Sequence, residues 1–371
     1  MSPSKARYIM IGGFLGAGKT TAVARLARRL TDRGVKVGLI SNDQSTGLVD
    51  TALLRSKGFP VEEIPGGCFC CRFNSLLEAA DNLDRTTRPD VFIAEPVGSC
   101  TDLIATVSYP LRRIYGDRFD VAPMSVLVDP TRAARILGLE KGPQFSEKVI
   151  YVYRKQLEEA NLIVVNKIDA VPPSLRERLS ETLAKTFPRA RVLSCSAKEG
   201  DGLEAWFDAI EHTTPDNGPA MELNYDTYAE GEALLGWLNC TVRVASKVPF
   251  DANQTLVGLA RDIRDRVSAQ GHEIAHLKMT LDAEDGAGSL SVVSLVRSDG
   301  EPDLRESLLD KVDGGSLIVN LRAEADPELL KTAVEASIAG LDGGLSAVIE
   351  HLDRFRPARP RPVHRMTEGT R

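Results

Sequence analysis

The chain has 371 residues, of which 43% are hydrophobic and 26% charged, values typical of globular proteins and of a length that allows two domains. The formal net charge of −6 gives no electrostatic reason to expect nucleic acid or an anionic membrane as a partner. No apolar run approaches the roughly 18 residues of a membrane span, and the N-terminus lacks a signal-peptide pattern, so we expect a cytoplasmic protein.

The first predicted elements are a strand at residues 8–11, a glycine-rich loop and a helix at 21–30. In the loop, Gly13, Gly18, Lys19 and Thr20 fit the phosphate-loop pattern G-x-x-x-x-G-K-[ST]. This order of elements directs backbone N–H groups and the positive end of a helix at a polyphosphate. Lys19 would then contact the β- and γ-phosphates, and the Thr20 hydroxyl would bind Mg²⁺. We predict a nucleotide site formed by Gly13, Gly16, Ala17, Gly18, Lys19, Thr20 and Thr21.

Short β-branched runs alternate with helical segments through the following part of the chain. Such runs are typical of a parallel sheet that is buried on both faces, which predicts an α/β, P-loop NTPase domain. Polar residues follow the carboxyl ends of several strands, where open α/β sheets bind ligands. The predicted strands are 36–40, 91–94, 125–128, 162–165 and 191–193, and the predicted helices are 48–57, 75–83, 147–160 and 174–187.

The pattern changes after residues 213–222, which read as a linker. Alternating strands and two amphipathic helices then predict a smaller α+β domain with an antiparallel sheet. The tail is rich in Arg and Pro, and we expect it to be a solvated strap or a disordered end. The predicted strands are 238–244, 277–281, 290–296 and 316–321, the helices are 254–267 and 327–338, and the predicted divisions are 1–215, 233–345 and 346–371.

The sequence Asn166-Lys167-Ile168-Asp169 directly follows a predicted strand and fits the N-K-x-D pattern of GTPases. The Asp169 carboxylate would accept hydrogen bonds from guanine N1–H and N2–H₂, a donor pair that adenine lacks. A carboxylate facing adenine would be desolvated and unpaired, so the site favours GTP over ATP. The Lys167 stem would cover one face of the base, and Ser196, Ala197 and Lys198 follow one helix and one strand later.

Two acidic residues are candidates for holding the Mg²⁺ of the nucleotide together with Thr20. Asp43 and Glu95 each follow the end of a predicted strand, and Mg²⁺ prefers such hard oxygen ligands. Either carboxylate could instead be a solvated residue at the sheet edge. We treat Lys19, Thr20, Asp43 and Glu95 as the candidate catalytic residues.

Three of the six cysteines form a C-x-C-C motif at Cys68, Cys70 and Cys71, after Gly66-Gly67. Three thiolates can occupy three tetrahedral positions of Zn²⁺ and leave the fourth open, although Cu(I) would also suit soft sulfur ligands. Reversible thiol redox chemistry and simple burial are the alternatives. The remaining cysteines are interpreted as small buried hydrophobes: Cys100, Cys195 and Cys240.

The sequence His272-Glu273-Ile274-Ala275-His276 matches H-E-x-x-H, the signature of zinc proteases. That motif chelates zinc only on a helix, where residues i and i+4 share a face. Gly271 is interpreted as the C-cap of the preceding helix, and the motif runs into strand residues. On a strand the two imidazoles would lie about 13 Å apart, so we reject the protease interpretation.

Five motifs in this order resemble the CobW family of P-loop GTPases, relatives of the nickel-insertion GTPases of urease and hydrogenase. They are the loop Gly-Gly-Phe-Leu-Gly-Ala-Gly-Lys-Thr-Thr, Asn42-Asp43, Gly-Gly-Cys-x-Cys-Cys, Glu95-x-x-Gly98 and Asn166-Lys167-x-Asp169. The resemblance covers about residues 7–210. It does not extend with the same clarity to the second predicted domain.

The resemblance implies a GTP-dependent metallochaperone that holds its cargo, most often zinc, at the C-x-C-C cluster and delivers it to a client metalloprotein. It also implies Mg²⁺ on Thr20, Asp43 and Glu95, and a nucleotide-bound homodimer. Two alternatives stay open from the residues alone. One is a kinase-type enzyme that transfers phosphate to a small molecule, and the other is a thiol-based metal or redox sensor.

Overall fold

The computed structural model describes residues 5–42, 54–55, 57–215, 218–284, 289–341 and 344–368. These residues fall into two compact units. The first contains residues 5–42, 57–215, 218–228 and 360–368. The second contains residues 54–55 and the described part of 229–359. The chain therefore enters the second unit twice, once before residue 57 and once after residue 228, and returns to the first unit at residue 360.

The first unit is built on a parallel sheet whose strand order, within the described residues, is β3-β2-β4-β1-β6-β7-β8, with β5 also pairing to β1. Every strand pair in this sheet is parallel. The strands are β1 (Ala6–Gly13), β2 (Val37–Asn42), β3 (Val61–Ile64), β4 (Val91–Glu95), β5 (Phe119–Val121), β6 (Ser125–Val128), β7 (Leu162–Val165) and β8 (Arg191–Ser194).

Helices connect these strands because each parallel pair needs a crossover connection. The α-helices are α1 (Lys19–Asp32), α2 (Phe73–Thr86), α3 (Tyr109–Ile114), α4 (Pro130–Ile136), α5 (Glu147–Glu159), α6 (Pro173–Thr186) and α7 (Leu203–His212), with a π-helical turn at Ile104–Ser108 and a 3₁₀ turn at Ile168–Ala170. A further helix, α8 (Tyr225–Leu234), begins in the first unit and ends in the second.

The core of the first unit explains why short β-branched runs predict its strands. β4, β6 and β7 are buried along their whole lengths, so both faces of each strand must be apolar. α1 turns Val23, Leu26 and Leu30 into this core, at the spacing of one helix face. The predicted α/β fold with a mainly parallel sheet is confirmed.

The second unit is an antiparallel sheet with strand order β12-β11-β10-β13-β9-β14 among the described residues. Two helices pack on one face of this sheet and bury a continuous apolar cluster with it. The predicted α+β organisation is confirmed. The elements are β9 (Leu235–Phe250), α9 (Ala252–Ser268), β10 (Ile274–Asp282), β11 (Leu290–Leu295), β12 (Asp303–Glu306), β13 (Val312–Glu324), α10 (Pro327–Ala339) and β14 (Leu345–Phe355).

The H-E-x-x-H sequence lies where the strand interpretation places it. His276 is within β10, whose residues pair with β13, and His272 precedes that strand. The two histidines therefore do not share a helix face, and the rejection of a zinc-protease motif is confirmed. The predicted helix at 48–57 lies mostly outside the described residues.

The end of the chain is ordered by pairing. Residues 345–355, which the sequence analysis placed almost entirely in the tail, form β14 and pair with β9. Residues 360–368, named here the C-terminal strap, lie against the first unit: Val363 N–H donates to Cys70 O at 2.9 Å and Met366 N–H to Ala105 O at 2.9 Å. Residues 346–355 thus belong to the sheet of the second unit and not to a tail, whereas residues 360–368 form a partly exposed strap, one of the two expected forms. Across the described chain, none of the helices combines the length and the apolar character needed to cross a membrane.

Candidate nucleotide and metal site

The phosphate loop connects β1 to α1 through glycines that side chains could not replace. Gly13 has φ +130°, and a Cβ there would lie 2.3 Å from the carbonyl oxygen of Leu127. Gly18, directly before α1, has φ +90°. These positions require glycine because both the backbone conformation and the space exclude a side chain. The loop therefore presents bare backbone in front of the N-terminus of α1, as phosphate binding requires.

Thr20 and Glu95 come together at the start of α1 and the end of β4. The Thr20 hydroxyl donates to Glu95 Oε1 at 3.0 Å, and both side chains are buried. Two oxygens at adjacent octahedral positions of Mg²⁺ lie about 3 Å apart, so this pair fits the ion. Lys19 is also buried, at the first position of α1. Asp43, the third candidate ligand, lies outside the described residues.

Asn166 fastens the base-recognition motif to the phosphate loop. Its Nδ2 donates to the carbonyl oxygen of Ala17 at 2.8 Å, and its Oδ1 accepts from the N–H of Ala197 at 2.9 Å. A Cβ at Gly18 would lie 2.4 Å from Asn166 Nδ2, so the two segments are in direct contact. The structure thus brings together three segments that were predicted separately from the sequence.

Lys167 is held by a buried carboxylate that the sequence analysis did not select. Its Nζ donates to Asp129 Oδ2 at 2.9 Å and to Gly16 O at 2.6 Å, and its backbone is left-handed, with φ +58°. Burial opposes ionisation of Asp129, but the charges of Lys167 and Arg132 hold its pKa well below the usual range. Asp129 directly follows β6, and its position at the end of a strand is the feature of the sequence that could have marked it as a site residue.

The remaining base-site candidates differ in burial. Asp169 is exposed in the 3₁₀ turn, and Lys198 is exposed as well. Ser196 is fully buried, and its hydroxyl accepts from the N–H of Glu199 at 3.0 Å, so it shapes the loop. The Asp169 carboxylate therefore lies at the surface, where a base can reach it.

The three thiols of the C-x-C-C motif form one cluster. The Sγ atoms are separated by 2.7 Å (Cys68 to Cys70), 3.4 Å (Cys68 to Cys71) and 3.7 Å (Cys70 to Cys71). Sulfurs bound to one tetrahedral Zn²⁺ lie about 3.8 Å apart, so the distance between Cys70 and Cys71 already matches and the two distances from Cys68 would have to widen. Each of the six cysteines is described, and none is in a disulfide.

The loop before the cluster is tied to the end of β2. Gly66 and Gly67 have φ values of +75° and +141°, which let the chain turn sharply toward Cys68. Asn42, the last residue of β2, donates from Nδ2 to Gly67 O at 2.6 Å and to Ile64 O at 2.9 Å. The cysteine loop is thus joined to the strand that Asp43 follows.

The three thiols of the cluster differ in their pKa values. Hydrogen bonds from the thiols of Cys100, Cys70 and Cys71 hold the pKa of Cys68 well below its usual value, despite burial. The hydrogen bonds to Cys68 raise the pKa of Cys70, and that of Cys71 to about 11. Of the three thiols, that of Cys68 therefore ionises most readily.

Cys100 is buried, as the sequence predicted, but it also contacts the cysteine cluster. Its side chain is 2% exposed, and its thiol hydrogen-bonds that of Cys68. Gln156, on α5, donates from Nε2 to Gly98 O at 2.9 Å and to Cys100 O at 2.8 Å, which fixes the loop after β4. Sequence spacing carries no signal for this contact, because the two cysteines belong to different loops.

The C-terminal strap lies over the same cluster. The N–H of Arg361 donates to Cys71 Sγ at 3.1 Å, and the His364 ring packs edge-on against Phe73, with centroids 5.0 Å apart. Arg365 forms an ion pair with the buried carboxylate of Asp102, with Nε to Oδ2 at 2.7 Å. The strap therefore covers the cluster with backbone that also donates to one of its sulfurs.

Comparison with known families matches residues 7–194 of this chain to the family model described as "CobW/HypB/UreG, nucleotide-binding domain". The match spans the phosphate loop, the cysteine cluster and the N-K-x-D motif. It covers half of the chain and ends at the last strand of the parallel sheet.

Two curated relatives are similar over the same part of the chain. The zinc chaperone YeiR of Escherichia coli K12 is 31% identical over 176 residues, which is 47% of this chain and 50% of that protein. The zinc chaperone CobW of a Sinorhizobium species is 28% identical, over 52% of this chain and 59% of that protein. The chain thus spans about half the length of these relatives.

Among solved structures, the Zn(II)-bound YjiA GTPase from E. coli aligns with 92% of this chain and 100% of its own, at 17% identity and a TM-score of 0.38. HypB from Helicobacter pylori in complex with nickel aligns with 55% of this chain and 84% of its own, at 21% identity and a TM-score of 0.40.

Proposed function

This chain belongs to the CobW/HypB/UreG family, and we propose that it is a GTP-hydrolysing metallochaperone, which binds zinc at its cysteine cluster and delivers it to a client protein. One observation carries the proposal. Three thiols whose sulfurs lie within 4.8 Å of one another occur in the same compact unit as a phosphate loop that is fastened to an N-K-x-D motif. A metal site and a guanine-nucleotide site in one unit are what a nucleotide-controlled metal carrier needs.

The residues of the phosphate loop bind and orient the nucleotide in this proposal. Backbone N–H groups of residues 13–21 and the Lys19 ammonium hold the β- and γ-phosphates, while Thr20, Glu95 and Asp43 supply oxygen ligands to Mg²⁺. Bound Mg²⁺ neutralises the charge that develops on the phosphates during hydrolysis. Arg132 supports the loop from behind, because its Nη1 donates to Leu15 O at 2.6 Å.

The base is recognised by Asp169, which accepts from guanine, and by the stem of Lys167, which covers one face. Asn166 keeps both residues in register with the phosphate loop through Ala17 and Ala197. Ser196, Ala197 and Lys198 complete the rim of this pocket. The segments that bind the base and the phosphates are therefore hydrogen-bonded to each other.

The cargo is a thiophilic metal ion held by Cys68, Cys70 and Cys71. Zinc is favoured by two features: thiolate ligands and a relative named a zinc chaperone. The client is a metalloprotein that accepts the ion, and the nucleotide-bound protein would associate as a homodimer when it delivers. In this scheme the nucleotide state decides when the metal is held and when it is released.

Hydrolysis in the presence and absence of zinc tests the proposal. Phosphate release is measured on metal-free protein with GTP or ATP and Mg²⁺, with no other acceptor, and then with one equivalent of Zn²⁺. We expect slow release from GTP, much less from ATP, and a rate that changes with zinc. Release that requires an added small-molecule acceptor would identify a phosphotransferase. A zinc-binding protein without GTP turnover would identify a sensor.

Asp169→Asn is expected to weaken GTP binding and to improve the binding of xanthosine triphosphate. The amide offers a donor where guanine needs an acceptor, and lost hydrogen bonds to a charged group cost about 1.5–3 kcal/mol, or roughly 10- to 150-fold in affinity. The measurement is competition of both nucleotides against a fluorescent GDP analogue. Asp208→Asn, an exposed carboxylate on α7, is the matched control. Equal affinity of the wild type for ATP and GTP would contradict the assignment of guanine.

A further inference from the structure

Cys100 is placed at the metal cluster by a different loop from the one that carries the C-x-C-C motif. It lies on the segment that follows β4, named here the Glu95 loop (residues 95–100). Its thiol is buried and in hydrogen-bonding contact with the Cys68 thiol. Resting on the function proposed above, we propose that Cys100 is a fourth thiolate ligand of the metal held by Cys68, Cys70 and Cys71.

The coordination geometry supports a fourth sulfur at this place. The three clustered sulfurs can occupy one face of a tetrahedron. The Cys100 thiol lies outside that group of three but contacts its Cys68 member, so it would have to move closer to the other two sulfurs to complete the shell. The sulfurs of Cys68 and Cys70 are 2.7 Å apart, and bound zinc would increase this distance by about 1 Å. It would also draw the Cys100 sulfur toward the ion. Four sulfurs complete the tetrahedral shell, so the resting carrier would protect its ion from water and from competing ligands.

The Glu95 loop is positioned to present Cys100 with little freedom. Both Gly98 and Cys100 are held by their carbonyl oxygens to the Gln156 amide, and the Cys100 N–H donates to Val97 O at 3.0 Å. A ligand on such a fixed loop is preorganised, because binding the metal does not have to order the backbone.

The same loop touches the nucleotide site, which distinguishes Cys100 from the other three cysteines. Glu95 contacts Thr20, and a Cβ at Gly98 would lie 3.0 Å from the backbone nitrogen of Leu15 in the phosphate loop. A movement of the phosphate loop would therefore displace Gly98 and, two residues later, Cys100. Withdrawal of this one sulfur would open a coordination position for a client ligand while the other three keep the ion.

The test uses Co²⁺ as a spectroscopic probe on the untagged full chain, without nucleotide. The thiolate-to-cobalt charge-transfer band grows with each sulfur ligand, and the visible bands report tetrahedral geometry. The wild type is expected to show a tetrahedral four-sulfur spectrum. Cys100→Ala and Cys100→Ser are both expected to lose about a quarter of the charge-transfer intensity, and zinc competition should show at least a roughly tenfold weaker affinity.

The pair of variants separates ligation from support. A serine hydroxyl can still donate a hydrogen bond to the Cys68 thiolate but is a poor zinc ligand, so wild-type spectra and affinity in Cys100→Ser alone would show a positioning role and overturn the proposal. Unchanged spectra in both variants would also overturn it. Cys240→Ser, a buried cysteine of the second unit, should leave both readouts unchanged, and a loss there would count against a specific role for Cys100.

Two control measurements distinguish a folding defect of the variants and a failure of the proposed function from a failure of this inference. Wild-type affinity of both Cys100 variants for GDP would show that the unit is folded, since the base site does not contain this residue. If the wild type itself binds neither Co²⁺ nor Zn²⁺, the proposed function fails together with this inference. If the wild type binds metal through three sulfurs only, the proposed function stands and the fourth ligand is wrong.

Discussion

Lys19→Ala is expected to abolish GTP hydrolysis while leaving the fold intact. The Lys19 side chain begins α1 at the phosphate loop, and its charge is proposed to act on the transferring phosphate. Removal of one such electrostatic group costs about 10²–10³-fold in turnover. Thr20→Ala should have an effect of similar size, because it removes both a magnesium ligand and the 3.0 Å contact with Glu95.

Phosphate release under single-turnover conditions measures the loss, and thermal unfolding monitors the fold. Lys185→Ala, an exposed lysine on α6, is the matched control and should hydrolyse GTP like the wild type. The wild type should itself be slow, because the described residues of the nucleotide site offer no clear arginine finger or water-orienting glutamine. Turnover within tenfold of the wild type in Lys19→Ala would show that the phosphate site has been wrongly assigned.

GTP and zinc are expected to change each other's affinity by the same factor. Two connections join their sites: Asn42 at the end of β2 bonds Gly67 beside the cluster, and the Glu95 loop joins Thr20 to Cys100. If the γ-phosphate orders these segments and hydrolysis releases them, the sulfur positions must differ between the two states. Linkage requires reciprocity, and couplings of this kind are about 1–3 kcal/mol, or roughly 5- to 150-fold.

Competitive zinc titration with no nucleotide, with GDP and with a non-hydrolysable GTP analogue measures this coupling. The reverse titration, of GTP analogue with and without zinc, must give the same factor. Cys68→Ser, Cys70→Ser and Cys71→Ser should bind nucleotide normally but show no effect of zinc. Identical zinc affinities in all three nucleotide states would show that the cluster is not coupled to the nucleotide site and would exclude the chaperone mechanism.

The sequence predicted best those elements whose residues are uniform in character. β6 and β7 were predicted to the residue, because a parallel strand that is buried on both faces is a short unbroken apolar run. β3 was missed since it lies at the edge of its sheet and carries two glutamates, and β5 has only three residues. β14 was assigned to the tail because half of its alternating residues are polar and exposed.

Contacts between distant residues account for what could not be predicted in the candidate site. The three clustered thiols were visible because they fall within four residues of the chain. The contact of Asp129 with Lys167 depends on the order of strands in the sheet, which makes β6 and β7 neighbours. The contact of Cys100 with Cys68 joins the loops after β4 and β3, two strands that are separated by β2 in the same order. No spacing rule in a single sequence encodes that order.

The return of the chain to its first unit has a mechanical consequence. The strap follows residues 229–359, which make up most of the second unit, and the two ends of this stretch are adjacent: Arg356 donates to Ala233 O at 2.6 Å, and Trp237 pairs with Phe355. The folded second unit is thus a short tether that keeps the strap at high effective concentration. Its unfolding would convert the tether to a long flexible chain, and effective concentration falls steeply with tether length. Unfolding of the second unit is therefore expected to weaken the contact of the strap with the cysteine cluster.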